Sequence, residues 1–126
     1  MRKGVVKIRL IKFNVWDSFD KKILSWEKIT STAEFEKNIS DYLLNNTRYI
    51  CLLRTGMKDI NGKDIYNGDI LQDKFRKYMV VEYFKDGFWL GSSLGCPQWS
   101  LRDYCLSCNV VGNRYVNKDL LGKIGV

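Results

Sequence analysis

The sharpest chemical spacing in the chain belongs to two thiols. Cys105-Leu106-Ser107-Cys108 has the form of a zinc knuckle or a dithiol redox pair, with Cys96 upstream. A structural zinc ion takes four ligands, and with no histidine in the sequence the fourth would have to be the distant Cys51. A redox pair needs a helix N-terminus to depress the first thiol's pKa, whereas the flanking residues here read as a strand. Small reduced thiols with a packing role are therefore expected. Oxygen ligands fare no better. In Asp59-Ile60-Asn61-Gly62-Lys63-Asp64 the glycine stands fourth and the twelfth position is Ile70, where a calcium loop wants glycine sixth and glutamate twelfth. Asp59 and Asn61 are expected to bond nearby amides and close a turn. Asp59, Asp64, Asp69 and Asp73 recur at steps of four to five residues across predicted turns, with no reason to converge on a metal. The missing histidine also removes imidazole bases and Ser-His-Asp chemistry. No catalytic residue, metal or cofactor is expected, and a thiol- or metal-dependent enzyme using Cys105 and Cys108 is the least favoured alternative.

Binding chemistry is better represented. Lys74-Phe75-Arg76-Lys77-Tyr78 interleaves three cations with two aromatics, a combination that can hold phosphates and stack bases, or can be a solvated turn with its aromatics packed inward. The net charge of +7 is unevenly spread. Arg2, Lys3, Lys7, Arg9 and Lys12 place five cations and no acid in the first twelve residues, and the remainder is close to neutral. Most of the four tryptophans are expected as core volume. Trp99, between Pro97-Gln98 and Ser100, is the one expected at the surface.

A chain of 126 residues with 45% apolar and 28% charged residues and one proline is that of a folded globular protein. Residues 6–10 alternate as a strand, and a bulge near Leu10-Ile11 would bring Phe13 and Val15 into the same apolar phase. Asp17 to Lys22 reads as a turn and Ile23 to Ile29 as a second strand carrying Trp26. Ser31 and Glu34 have the capping-box spacing, followed by an amphipathic stripe of Phe35, Ile39, Tyr42 and Leu43 that Asn45-Asn46 ends. That is the one helix expected. Asn61-Gly62, Asn67-Gly68 and Asp86-Gly87 mark tight turns, Met79 to Leu90 reads as a hairpin, and Cys108 to Val111 as a further strand. Short strands at this spacing suggest a small closed barrel. No apolar run is long enough for a secretory core or a membrane helix.

Three blocks resemble the YopX-like proteins of phages and prophages. They are Ile11-Lys12-Phe13-Asn14-Val15-Trp16-Asp17 with Lys21-Lys22-Ile23, then Thr55 through Ile70, and finally Val111-Gly112-Asn113-Arg114-Tyr115 with Asn117-Lys118-Asp119-Leu120-Leu121. The resemblance implies a mainly β protein of α+β class with an N-terminal β subdomain plus one amphipathic helix, over residues 1–54, and a C-terminal SH3-like small β-barrel over 55–126. It supplies no catalytic residue. Thr55-Gly56 is expected to turn the chain between the subdomains. Leu53, Arg54, Asn67 and Lys118 depart from the usual family pattern, and the last three remove an acid or add a base. The leading expectation is a non-enzymatic phage or prophage accessory protein in the bacterial host cytoplasm, acting by binding a host or phage protein, with no membrane partner. A nucleic-acid-binding module using the basic N-terminal strand and the Lys74 to Tyr78 loop is the alternative, and a homo-oligomer is also compatible with the sequence.

Overall fold

A computed structural model describes residues 12–32, 35–84, 87–93 and 96–124, with backbone alone at 35–37, 84, 92–93 and 96–99. The expected first strand and its bulge lie outside these residues. The chain divides into two compact units, Met1–Arg54 and Thr55–Val126.

In the first unit, β1 (Phe13–Asp17) lies between β2 (Lys22–Leu24) and the leading residues of β3 (Tyr49–Lys58), antiparallel to both. Phe13 and Val15 point into a core with Ile29 and Tyr49, against which Leu24, Trp26, Ile39 and Tyr42 pack. Rings meet edge to face at 4.9 Å for Phe13 with Trp26 and 5.0 Å for Tyr42 with Tyr49. Asp17 organises the turn after β1. Its Oδ1 accepts from the amides of Phe19 at 3.0 Å and Asp20 at 3.2 Å, and Arg48 donates to both carboxylate oxygens at 3.0 Å. The Arg48 guanidinium, with those amides, holds the carboxyl below its ordinary pKa despite burial.

The second strand is shorter than its apolar run suggests. It stops at Leu24, and α1 (Trp26–Thr30) follows, because Ser25 caps it by accepting from Lys28 N at 3.2 Å. Asn14 Oδ1 accepts from Trp26 N at 3.0 Å and secures the same helix start. Ser31 ends α1, donating to Lys28 O at 2.8 Å, and Glu34, its expected capping-box partner, lies outside the described residues. The amphipathic helix is α2 (Phe35–Leu44), with Ile39 and Tyr42 turned to the core and Leu43 half exposed.

In the second unit, the end of β3 pairs with β4 (Asp64–Tyr66). Thr55-Gly56 does not break the chain. Both residues lie within β3, where Thr55 Oγ1 accepts from Met57 N at 3.1 Å and donates to Ile65 O at 2.8 Å, and Gly56 has φ +83°. The remaining strands are β5 (Asp69–Gln72), β6 (Tyr78–Phe84), β7 (Gly87–Ser93), β8 (Cys96–Ser100) and β9 (Asn109–Asn113). They form one antiparallel sheet in the order β8-β7-β6-β5-β9, curled as a half-barrel. The mainly β class holds, and the expected hairpin is β6 with β7. The expected single helix is joined by short ones: α1, α3 (Leu101–Tyr104), a 3-10 turn at Cys105–Ser107, and α4 (Lys118–Leu121). Ile65, Leu71, Met79, Val81, Leu90, Leu101, Cys105 and Cys108 form the core.

Two buried carboxylates knit this unit together. Asp59, 3% exposed, accepts through Oδ1 from Asn61 N and Lys63 N and through Oδ2 from Val110 N, each at 2.9 Å. The first two bonds shape the turn; the third fastens it to β9. Ile60 N to Cys108 O at 3.0 Å and Asn61 Nδ2 to Asn109 Oδ1 at 2.7 Å complete the seam. Asp69 accepts from Tyr66 N at 2.8 Å and from Asn113 Nδ2 at 3.4 Å. Between β4 and β5, Gly68 adopts φ +90°, donates to Val81 O and accepts from Arg114 N, a conformation that a side chain would strain. Gly112 is required by contact instead: a Cβ there would sit 2.6 Å from Asn117 Oδ1, the atom that accepts from Asn113 N.

Asp59→Ala takes the acceptor from three part-buried amides, so the midpoint of chemical denaturation at neutral pH should fall by the equivalent of about 3 kcal/mol. An unchanged midpoint would remove the seam from the account of stability.

Asp69 carries the opposite sign. Burial raises its pKa from 3.8 to about 6, against the pull of the Tyr66 amide and Asn113. Its stabilising contribution is therefore complete below the unfolded value and lost as pH rises through the folded one, a difference of about 3 kcal/mol. Relative to wild type, Asp69→Asn should gain stability between about pH 4 and about pH 6 and hold the gain above. Denaturant titrations across that range should show the change, and a pH-independent difference between the two proteins would contradict it.

Candidate functional site

The Lys74 to Tyr78 segment, singled out for its alternation of cations and aromatics, is a tightly specified turn between β5 and β6. Asp73 builds it. Its Oδ1 accepts from Phe75 N and Lys77 N, both at 2.9 Å, while its backbone N–H donates to Lys77 O at 3.1 Å and its carbonyl accepts from Arg76 N at 3.0 Å. Arg76 takes the left-handed conformation, φ +66°, which closes the loop. The turn directs Phe75 outward, 78% exposed, with Lys74 Nζ 5.3 Å from its ring centre. Tyr78, half-buried, begins β6 with Lys123 Nζ 5.9 Å from its ring.

Beside this turn lies a concavity of about 430 Å³. Met79 and Cys108, both buried, supply apolar floor; Tyr104 and Ser107 form a further wall; Asp73, Lys74, Phe75 and Lys77 make the rim. The far wall comes from a segment expected as strand. Cys105 opens a helical turn that Cys108 ends: Ser100 stands at the N-cap of α3, Leu101 is buried in the core, and the 3-10 turn follows. That leaves Tyr104 43% and Leu106 71% exposed on the outer side. Ser107 Oγ donates to Tyr104 O at 3.0 Å and fixes the wall.

The thiols occupy packing positions. Cys105 and Cys108 are free and belong to the core cluster. Burial pushes the Cys108 thiol above its ordinary pKa, and the nearby Asp73 carboxylate adds to the shift, so it is not poised as a nucleophile at neutral pH. Cys51 in the first unit is likewise raised by burial. Among the described residues no group of three or more His, Cys, Asp or Glu residues is placed to hold a metal ion. Likewise, among them no helix is long and apolar enough to cross a membrane.

The other sequence-selected residues are dispersed. Arg2, Lys3, Lys7 and Arg9 lie outside the described residues. Lys12 is half-buried in the first unit, its carbonyl accepting from Arg54 N at 3.1 Å. Trp99 pairs by backbone with Leu90 in β8, and its side chain lies outside those described. Sequence reasoning missed Tyr104 and Ser107. Ser100-Leu101-Arg102-Asp103 has the Ser-x-x-acid spacing of a helix start and would have flagged the wall as helical.

A family model described as YopX protein matches residues 12–122, nearly the whole chain. The chain belongs to the YopX family. Among solved structures, protein EF1440 from Enterococcus faecalis is similar, with a TM-score of 0.57 and 21% identity over 88% of this chain and 97% of that one. At that identity the likeness bears on fold alone. No curated protein matches. YopX membership names no reaction. In this YopX chain the two later blocks that carry the family pattern are spent on Asp59, Gly68, Asp69, Gly112 and Asn113, the residues that hold the second unit together.

The buried floor makes a chemical prediction. At about pH 7.5, iodoacetamide should modify Cys108 at least about tenfold more slowly in the folded YopX protein than in the urea-unfolded chain. Peptide-resolved mass spectrometry reads the rate, and fast modification of the folded protein would refute a packing role for this thiol.

Proposed function

We propose that this YopX protein is a non-catalytic accessory protein of phage or prophage origin, acting in the host cytoplasm by binding a host or phage protein. The observation that carries the reading is Phe75. A large apolar ring is held 78% exposed by a hydrogen-bonded turn at the lip of an apolar concavity, an arrangement that costs solvation in the free protein and suits a contact residue. The Cys108 thiol in the same concavity, pushed above its ordinary pKa by burial, favours recognition over group transfer.

A nucleic-acid role is the second reading, favoured by Lys74, Arg76 and Lys77 beside Phe75. The two readings differ in what salt does to them. Affinity for a polyanion collapses as counterions are restored, whereas a contact built on an apolar anchor persists.

Immobilised wild-type protein should recover a discrete host or phage protein that survives washing at moderate salt, and Phe75→Ala should lose it while keeping the wild-type circular dichroism spectrum. Recovery of salt-labile DNA or RNA alone would overturn the protein-binding reading in favour of the second.

A further inference from the structure

We infer that the concavity beside the Asp73 turn receives a short acidic segment of the partner, anchored by one large apolar side chain; this rests on the protein-binding reading above and adds the partner's chemistry to it. Two properties of the site carry the inference. The first is its size and lining. A volume of about 430 Å³ lies toward the small end of ligand pockets, which run roughly 300–1,000 Å³. With Met79 and Cys108 below and Tyr104 and Phe75 at the sides, it offers apolar contact to one aromatic or branched side chain. A single well-buried anchor of that kind supplies most of the affinity of a small interface.

The second property is the charge at the rim. Lys74 and Lys77 line the rim, Arg76 lies between them on the same turn, and Lys123 stands beside Tyr78 where the turn enters β6. The one carboxylate in the lining, Asp73, has an oxygen engaged by two amides of its own turn. The rim therefore presents net positive charge to a segment whose anchor is in the concavity. Carboxylates on either side of that anchor complement it, and exposed pairs of this kind select partners by sign and speed association more than they add affinity.

The same charge argues against the nearest alternatives. A second copy of this chain carries +7, and the chain's own first eleven residues hold cations and no acid, so either would meet like charge. A nucleic-acid strand wants a track of cations with stacking platforms along it. Here the cations gather on one turn, and the surface beside them is a cavity with an aliphatic and thiol floor.

The test uses synthetic peptides of about twelve residues with one central tryptophan flanked by Asp and Glu, read by fluorescence anisotropy against the full-length protein. Binding is expected to weaken about tenfold when the tryptophan becomes alanine and about tenfold when the acids become Asn and Gln. Charge reversal by Lys74→Glu with Arg76→Glu should produce a similar loss, and filling the cavity by Ser107→Trp should abolish binding, each variant checked for a wild-type circular dichroism spectrum. Equal binding of the neutral or the anchorless peptide overturns the inference, as does tighter binding of a single-stranded oligonucleotide. If no peptide binds while Phe75-dependent capture of a protein partner persists, the acidic chemistry is wrong and the binding reading stands; if that capture fails too, both fall.

Discussion

The second unit depends on one carboxylate. Asp59 shapes its own turn by accepting from Asn61 and Lys63, and it fastens that turn to β9 by accepting from Val110. Burial alone would raise its pKa, but the three amides more than offset this and hold the carboxyl below the ordinary value. The charge is thus compensated by backbone dipoles rather than by a salt bridge. Compensation of this kind is directional, because each N–H must point at an oxygen, and so it fixes register where an apolar contact would only fix proximity. It also shields an edge of the sheet. Strand β9 is terminal in the order β8-β7-β6-β5-β9, and two of its hydrogen-bonding groups, Val110 N and Asn113 N, are taken by side chains of this chain.

The candidate site inherits its geometry from that arrangement. Cys108 immediately precedes β9 and accepts through its carbonyl from Ile60, so the seam that positions β9 also positions the floor of the concavity. Leu101 and Cys105 enter the same core as Ile65 and Leu71, which leaves Tyr104 on the outer side of the helical turn as the wall. On the opposite rim Asp73 repeats on a smaller scale what Asp59 does, with an aspartate oxygen collecting the amides of the residues two and four positions ahead. The backbone on both rims is therefore set before any partner arrives, which lowers the ordering cost of binding.

What the sequence made legible followed physical range. Turns governed by local bonds were readable, Asp59 with Asn61-Gly62 and Gly68 with its positive φ, and so was the pairing of β6 with β7. So was the apolar stripe of α2, since Ile39 and Tyr42 meet the core at helical spacing. The failures arose where two local signals competed. Ile23 to Ile29 has strand-like composition, but the Ser25 cap and the bond from Trp26 N to Asn14 decide for helix, and the second of these spans twelve residues. Around Cys105 a strand-like composition competes with the Ser100 helix start, and the helical turns prevail. The concavity itself was not legible, because its two sides, the turn at Asp73 to Lys77 and the segment Tyr104 to Cys108, come from separate parts of the sequence. The loop's alternation of cations and aromatics was legible, but neither the exposure of Phe75 nor the cavity beside it could be read from the sequence.

The distribution of perturbed groups bears on what such a surface does. Catalytic sites gather titratable side chains whose pKa values are displaced in the direction a reaction needs. Among the described residues the displaced carboxylates are each committed elsewhere: Asp17 to Arg48 and its turn, Asp59 to the β9 seam, Asp69 to Tyr66 and Asn113. The displaced thiol that does border the concavity, Cys108, is moved away from reactivity by burial. What remains accessible there is shape, an apolar interior and positive charge at the rim. On the proposed reading, those are the ingredients of selection between partners.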